Sequence, residues 1–252
     1  MPATTDVMID DKTGTLIRDG ISTEVNPFDM YAIEEAVLLK ERYGAEITVI
    51  SMGQLQAESS LKEAIAMGCD SAVLLSDIKF AGADTLATAY TLACGIKKIG
   101  AFDLVLCGLK TTDGDTGQVG SSLAEELGIP HIGYIRKIVT LEDSVNRLER
   151  SLDDYYEIVD FQLPVVITVT KEANEPRYPS FKRRRMAKEA PILVWTADDL
   201  GGYQKRFGLD GSPTRVIKIF HPEPRGKGEL IKGPPNMQAR GLVQKLKEIK
   251  II

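Results

Sequence analysis

The sequence predicts an α/β fold: a mostly parallel sheet with helices on both faces, of the nucleotide-binding, doubly wound type, followed by a β-hairpin region and an extended C-terminal arm. Three observations predict it. Short apolar runs, "EITVIS" (46–51), "SAVLLS" (71–76) and "DLVLCG" (103–108), alternate with segments of helical period, the pattern of a parallel sheet covered on both faces. The chain has 252 residues, 43% of them hydrophobic, enough for a large core. A Gly-, Asp- and Thr-rich stretch, "DGDTGQVG" (113–120), follows the third run, at the strand end where such sheets bind ligands.

Each element has its own signal. In "NPFDMYAIEEAVLLKERYG", Asn26 suits an N-cap, Pro27 the first helical position and Asp29 the acid-favouring first turn. Ala32, Ala36, Leu39 and Tyr43 recur at helical spacing, and Gly44 ends the helix. "QLQAESSLKEAIAMG" and "DTLATAYTLACGIKKIG" predict two more helices, the second with Lys97 and Lys98 in its last turn. "TGQVGSSLAEELG" predicts a fourth, with Val119, Leu123 and Leu127 on one face. From 136 to 170 the texture is hairpin-like β, ending in the apolar strand "VVITVT" (165–170). A Pro- and Arg-rich loop, "NEPRYPSFKRRRMAK" (174–188), follows. Residues 1–210 form the expected α/β domain. Residues 211–252 form the arm, which closes on the helix "ARGLVQKLKEIKII".

Composition excludes several functions. A formal net charge of −5 argues against nucleic-acid binding. No apolar run reaches the ~18 residues of a membrane span, and the N-terminus lacks the basic-then-apolar order of a signal peptide. The three cysteines, Cys69, Cys94 and Cys107, form no C-x-x-C pair, so no metal or iron–sulfur ligation is expected. A reducing, cytoplasmic location fits. His131 and His221 lie far apart in sequence and are expected to be structural.

The 113–120 stretch is neither a Walker A loop nor a G-x-G-x-x-G turn. Backbone N–H groups near Thr116 to Gln118, placed at a helix N-terminus, would form an anion site. Asp113 and Asp115 suit ribose hydroxyls, or simply cap the turn. Spacing leaves both readings open.

"NPFDMYAIEEAVLLKE", "DGDTGQVG" and "NEPRYPSFKRRRMAK" together resemble the small (β) subunit of the electron-transferring flavoproteins, and "LVQKLKEI" is similar to that family's last helix. The resemblance covers essentially the whole chain. It implies a heterodimer with an FAD-carrying α subunit and an adenine nucleotide held by this chain, FAD in bifurcating types and AMP in simple carriers. It implies electron flow between a flavin dehydrogenase and an acceptor, with NAD and ferredoxin as further partners in the bifurcating branch. The matching nucleotide positions are Asn26, Pro27, Phe28, Asp29, Met52, Leu109, Lys110, Thr111, Thr112, Asp113, Gly114, Asp115, Thr116, Gly117 and Gln118. The matching docking positions are Phe181, Lys182, Arg183, Arg184 and Arg185, with Phe181 as the apolar anchor. Glu157 matches an acid near the electron-transfer interface. "GSPTRVIKIFHPEPRGKGE" resembles the bifurcating branch.

Family members begin with an apolar strand and a Lys-x-Val-Pro turn, whereas this sequence starts at "MPATTDV". The expectation is that the gene encodes about ten further residues, an ordinary strand length. A parallel sheet without that central strand is left with two unpaired edges. The alternative function is an adenine-nucleotide-binding regulatory or stress protein without a redox role. An adenylating enzyme would need a Ser-Gly-Gly-x-Asp-Ser loop, which the sequence lacks.

Overall fold

The structure is a computed structural model that describes residues 8–9, 16–17, 24–142, 145–217 and 228–252. Residues 1–7, which carry the departure from the family pattern, lie outside it, as do His221 and most of the stretch likened to the bifurcating branch. The chain divides into two compact units, Met1–Ile217 and Lys218–Ile252.

The first unit is a mixed α/β structure. A short antiparallel pair, β1 (Met8–Ile9) and β2 (Leu16–Ile17), precedes the long helix α1 (Pro27–Tyr43). Strands β3 (Thr48–Met52), β4 (Ser71–Leu75) and β5 (Leu104–Gly108) alternate with α2 (Glu58–Met67), α3 (Thr85–Ile99) and α4 (Val119–Leu127). Four strands come next: β6 (His131–Glu142), β7 (Val145–Ser151), β8 (Tyr156–Phe161) and β9 (Val165–Val169). Helix α5 (Phe181–Lys188), strand β10 (Leu193–Trp195) and the one-turn helix α6 (Ala197–Leu200) complete it.

Besides the β1–β2 pair, the described strands form two sheets rather than the single sheet expected. One has the order β10-β4-β3 and is wholly parallel. The other has the order β5-β9-β6-β7-β8, parallel from β5 to β6 and antiparallel beyond. β3 and β5 are thus each the end strand of a sheet, and both are only half-buried, whereas β9 is buried along its whole length. Helix α3 connects them: Ile50 of β3 and Val105 and Cys107 of β5 pack into one cluster with Ala89, Ala93, Ile96 and Leu123.

Alternation along the strands explains the layers. Leu104, Leu106, Val165, Ile167 and Val169 face α1 through Ala32 and Leu39. In the smaller sheet Ala72 and Leu74 face Leu61 of α2, while Val73 and Leu75 face Phe80 and Phe207. Each fully buried aliphatic side chain contributes about 1.5–3 kcal/mol, so these layers dominate the fold's stability.

Local signals account for most helix ends. Asp84 caps α3 by accepting from Leu86 and Ala87 N–H. Gly44 and Gly128 end α1 and α4 in the left-handed conformation. Two expectations shift. α4 begins at Val119 with Gln118 as N-cap, so Thr116 and Gly117 lie ahead of the helix. Half of the expected 174–188 loop is helix α5, capped by the Ser180 hydroxyl on Arg183 N–H. β10 and α6 carry too few residues to show a period.

The second unit holds α7 (Pro235–Glu248), with Glu229 and Lys245 paired at 2.7 Å. Leu242, Val243 and Ile249 are exposed within this chain.

α1 and β5 meet closely. A Cβ on Gly108 would lie 2.4 Å from Asp29 Oδ1 and 2.6 Å from the Phe28 carbonyl carbon. Gly108→Ala should therefore destabilise the protein by about 2–3 kcal/mol, the usual cost of overpacking. Chemical denaturation of the purified protein checks this; an unchanged midpoint would mean that α1 can back away.

Candidate functional site

The ends of α1, β5 and β9 converge on one edge. Asp29 Oδ1 accepts from Gly108 N–H at 3.0 Å, and Leu109 N–H donates to Val169 O. Asn26 is buried, but its side chain does not cap α1. Its Nδ2 donates to Lys110 O at 2.9 Å, and its Oδ1 has no partner among the described residues. A buried acceptor in that state has a hydrogen bond still to make. Burial pushes the Asp29 carboxyl up, against the lowering bonds from Asn26 and Gly108.

The 109–118 loop wraps over this edge. Thr111 organises it: its hydroxyl accepts from Gly114 N–H at 3.2 Å and its carbonyl from Asp115 N–H at 2.9 Å. Asp115 and Gly117 have left-handed φ of 50° and 62°. Lys110 Nζ pairs with Asp115 at 2.6 Å and stands 5.7 Å above the Phe28 ring. Gln118 accepts from the Thr85 hydroxyl at 3.3 Å, tying the start of α4 to α3. Thr112, Asp113, Gly114, Thr116 and Pro27 are exposed along the rim.

A cleft of about 360 Å³ runs from Phe28, Leu109 and Lys110 to Tyr134, Thr170 and Lys171, within the size range of small-ligand sites. Tyr134 borders it at a left-handed φ of 62°, where a register shift interrupts the β6–β9 pairing. Met52 instead packs its side chain onto Val73, Leu75, Phe80 and Phe207.

The 174–188 segment presents a second surface. Phe181 is 87% and Tyr178 92% exposed, and Met186 is exposed as well. Lys182, Arg184 and Arg185 are exposed as well. Arg183, exposed too, is tethered by its Nη1, which donates to Met67 O at 3.0 Å. Glu157, on β8, is paired with Arg150. Sequence reasoning missed the anchor of this segment. Arg177 joins Glu34 and Glu41 of α1, and Asn174 joins Tyr31 O and Glu35. The signal was present: Glu35 shares a helical stripe with buried Ala32 and Leu39, and an acid there needs a partner.

Other reactive groups are quiet. Burial pushes the Cys69 and Cys107 thiols up to about 12, out of the range of reactive thiolates, and lowers His131. Among the described residues no group of three or more His, Cys, Asp or Glu could hold a metal, and no helix is long and apolar enough to cross a membrane.

The electron transfer flavoprotein domain family matches residues 13–200. An electron transfer flavoprotein subunit beta from Clostridium acetobutylicum is 47% identical over 248 residues, covering 98% of this chain and 95% of the relative. The caffeyl-CoA reductase-Etf complex subunit CarD from Acetobacterium woodii is 46% identical, covering 100% and 97%. Protein FixA from Azorhizobium caulinodans is 38% identical, covering 90% and 83%.

The raised Asp29 carboxyl yields a signed pH effect. A folded-state value above the unfolded one means that the charged form costs stability once pH passes the ordinary carboxylate range. Asp29→Asn keeps an oxygen for Gly108 N–H and should stabilise at neutral pH, with the gain fading towards acid, where Asp29 is itself neutral. Asp29→Ala should destabilise at every pH. Denaturation midpoints of the three proteins between pH 4 and 8 check it; a gain for Asn that grows towards acid would contradict the assignment.

Proposed function

Because the chain belongs to the electron transfer flavoprotein family as a beta subunit, we propose that the edge of α1 and the 109–118 loop holds an adenine nucleotide belonging to this chain. The chain itself is an electron-transfer subunit. The convergence of α1, β5 and that loop, tied by Asp29 to Gly108 and by Asn26 to Lys110, supports the reading best. The phosphate lies on backbone N–H groups at Gly117, Gln118 and the start of α4, where a helix N-terminus carries roughly +0.5 charge, with Lys110 alongside. Asp113 and the Asn26 Oδ1 accept hydrogen bonds from the ribose and base. Phe28 and Pro27 wall the site. Met52 supplies backbone at the end of β3, and Thr111, Gly114 and Thr116 shape the loop.

FAD is favoured over AMP. A cleft reaches from Phe28, Leu109 and Lys110 to Tyr134 and Lys171, which offers a group larger than AMP a place to lie. A flavin held there supplies the redox chemistry itself, while the chain's residues bind and orient it. NAD and ferredoxin are then the small-molecule and protein acceptors or donors of a bifurcating complex, and an FAD-carrying α subunit completes the heterodimer. Leu242 and Ile249 of the C-terminal unit are the residues offered to that subunit. Phe181 anchors a flavin dehydrogenase, with Lys182, Arg184 and Arg185 steering the encounter.

The visible spectrum and nucleotide content of the heterodimer test this reading. Two flavins are expected; one flavin plus AMP would make the chain a simple carrier, and no nucleotide in this subunit would refute the site. Gly117→Asp places a like charge at the phosphate, and Asp tolerates the left-handed φ there. It should weaken nucleotide binding at least about tenfold, read by content after dialysis; full retention would move the site elsewhere. Deleting residues 228–252 should weaken heterodimer formation, and unchanged co-purification of the α subunit would count against its contact role.

A further inference from the structure

The geometry points to Arg177 as the positioning residue that clamps the 174–188 segment onto α1 and so fixes the presentation of Tyr178 and Phe181. The inference rests on the docking reading of Phe181 but concerns a different residue with a different role.

Arg177 is bound on every side. Its Nε donates to both Glu34 carboxylate oxygens at 3.0 Å, its Nη2 to Glu34 Oε1 at 2.9 Å and Glu41 Oε2 at 3.0 Å, and its Nη1 to Glu41 Oε1 at 2.5 Å. Its own backbone N–H donates to Glu34 Oε2, so one carboxylate grips main chain and side chain together. Glu34 is only 4% exposed, which shields the pair from salt screening. The two carboxylates hold the guanidinium well above its ordinary value.

Two flanking contacts extend the clamp. Three residues earlier, Asn174 Nδ2 donates to Tyr31 O and Glu35 Oε2. Six residues later, Arg183 donates to Met67 O at the end of α2. Between these anchors stand the two most exposed aromatic rings of the segment. Two of its basic residues thus act as fasteners, Arg177 half-buried and Arg183 through one hydrogen bond from an exposed side chain, while Lys182, Arg184 and Arg185 are exposed around them. A loop of this length free to move would lose conformational entropy on docking, and holding it in one shape beforehand removes that cost. The clamp is built from planar, bidentate geometry that a lysine reproduces only in part.

The experiment uses the heterodimer with its α subunit and a flavin dehydrogenase purified by its ability to reduce the parent heterodimer. Arg177→Met should raise the KM for the heterodimer as electron acceptor about tenfold, with kcat and nucleotide content within twofold. Arg177→Lys should recover part of the loss. Amide exchange across 177–188 should quicken in the Met variant and not elsewhere in the domain. Combining Arg177→Met with Phe181→Ala should add little to either alone, since both act on one contact. If Phe181→Ala leaves KM unchanged, the docking reading itself fails. If Phe181→Ala raises KM while Arg177→Met leaves both KM and exchange as in the parent, the positioning role alone is overturned. Should Arg177→Met not fold because Glu34 is left buried and unpaired, Glu41→Gln removes one exposed partner instead. It should raise KM and exchange in the same direction by a smaller factor, and no change in either would overturn the inference.

Discussion

The seating of α1 on β5 is the constraint on which the rest of the structure depends. Gly108 leaves no room for a side chain where the first turn of α1 arrives, and the Asp29 carboxylate takes the N–H that the last residue of β5 offers. That contact is expensive in one respect, since it buries a carboxylate. The cost is offset by satisfying an edge N–H that would otherwise lack a partner. Once α1 is docked, its other features follow. Its buried stripe seals the five-stranded sheet through Ala32 and Leu39. Its acids at 34, 35 and 41 become fixed points for a segment more than a hundred residues away in sequence. One helix thereby sets both the wall of the candidate nucleotide edge and the foundation of the exposed aromatic segment.

The acids in the 109–118 loop look misplaced beside an anion until their partners are considered. Asp115 spends its charge on Lys110, and the loop keeps its shape through Thr111 rather than through the carboxylates. Lys110 is in turn shared between Asp115 and the face of Phe28. Asp113 leaves the loop one acid in excess, so an anion there would rest on oriented backbone N–H, with the buried acceptor of Asn26 beside it. The nucleotide proposed for this edge would be held through many moderate hydrogen bonds, which suits a fixture better than a ligand exchanged at each turnover.

Much of this was legible in the sequence, for identifiable reasons. Alternating apolar runs and helical stripes located β3, β4, β5 and the first four helices, because burial imposes a period. Asn26 was recognised as the residue before α1, but its amide serves the loop rather than the cap, a choice made by a residue 84 positions away. Helix α5 was hidden in an Arg-rich stretch read as loop, since a helix exposed on nearly every side shows no stripe. The single sheet expected from strand order became two, because pairing depends on which strands lie side by side and not on how each one reads. β10 escaped notice for a related reason: three residues carry no period, and only the neighbouring β4 edge makes them a strand.

The exposed aromatic segment has a physical logic that fits an electron-transfer subunit. Such a subunit must meet its partner, exchange an electron and leave, so a large apolar interface would hold it too long; redox encounters belong to the small end of interface sizes. A small interface still has to find the right orientation. In the docking role proposed above, two exposed rings on a braced segment would supply a specific contact of limited area, and the surrounding Lys and Arg would raise the encounter rate without lengthening the stay. Bracing is what reconciles these demands. With the segment held by Glu34, Glu35 and the end of α2, little ordering entropy is lost on contact and a modest area suffices for recognition. Without the brace, the same affinity would need more buried surface and would bring the slow release that a carrier must avoid.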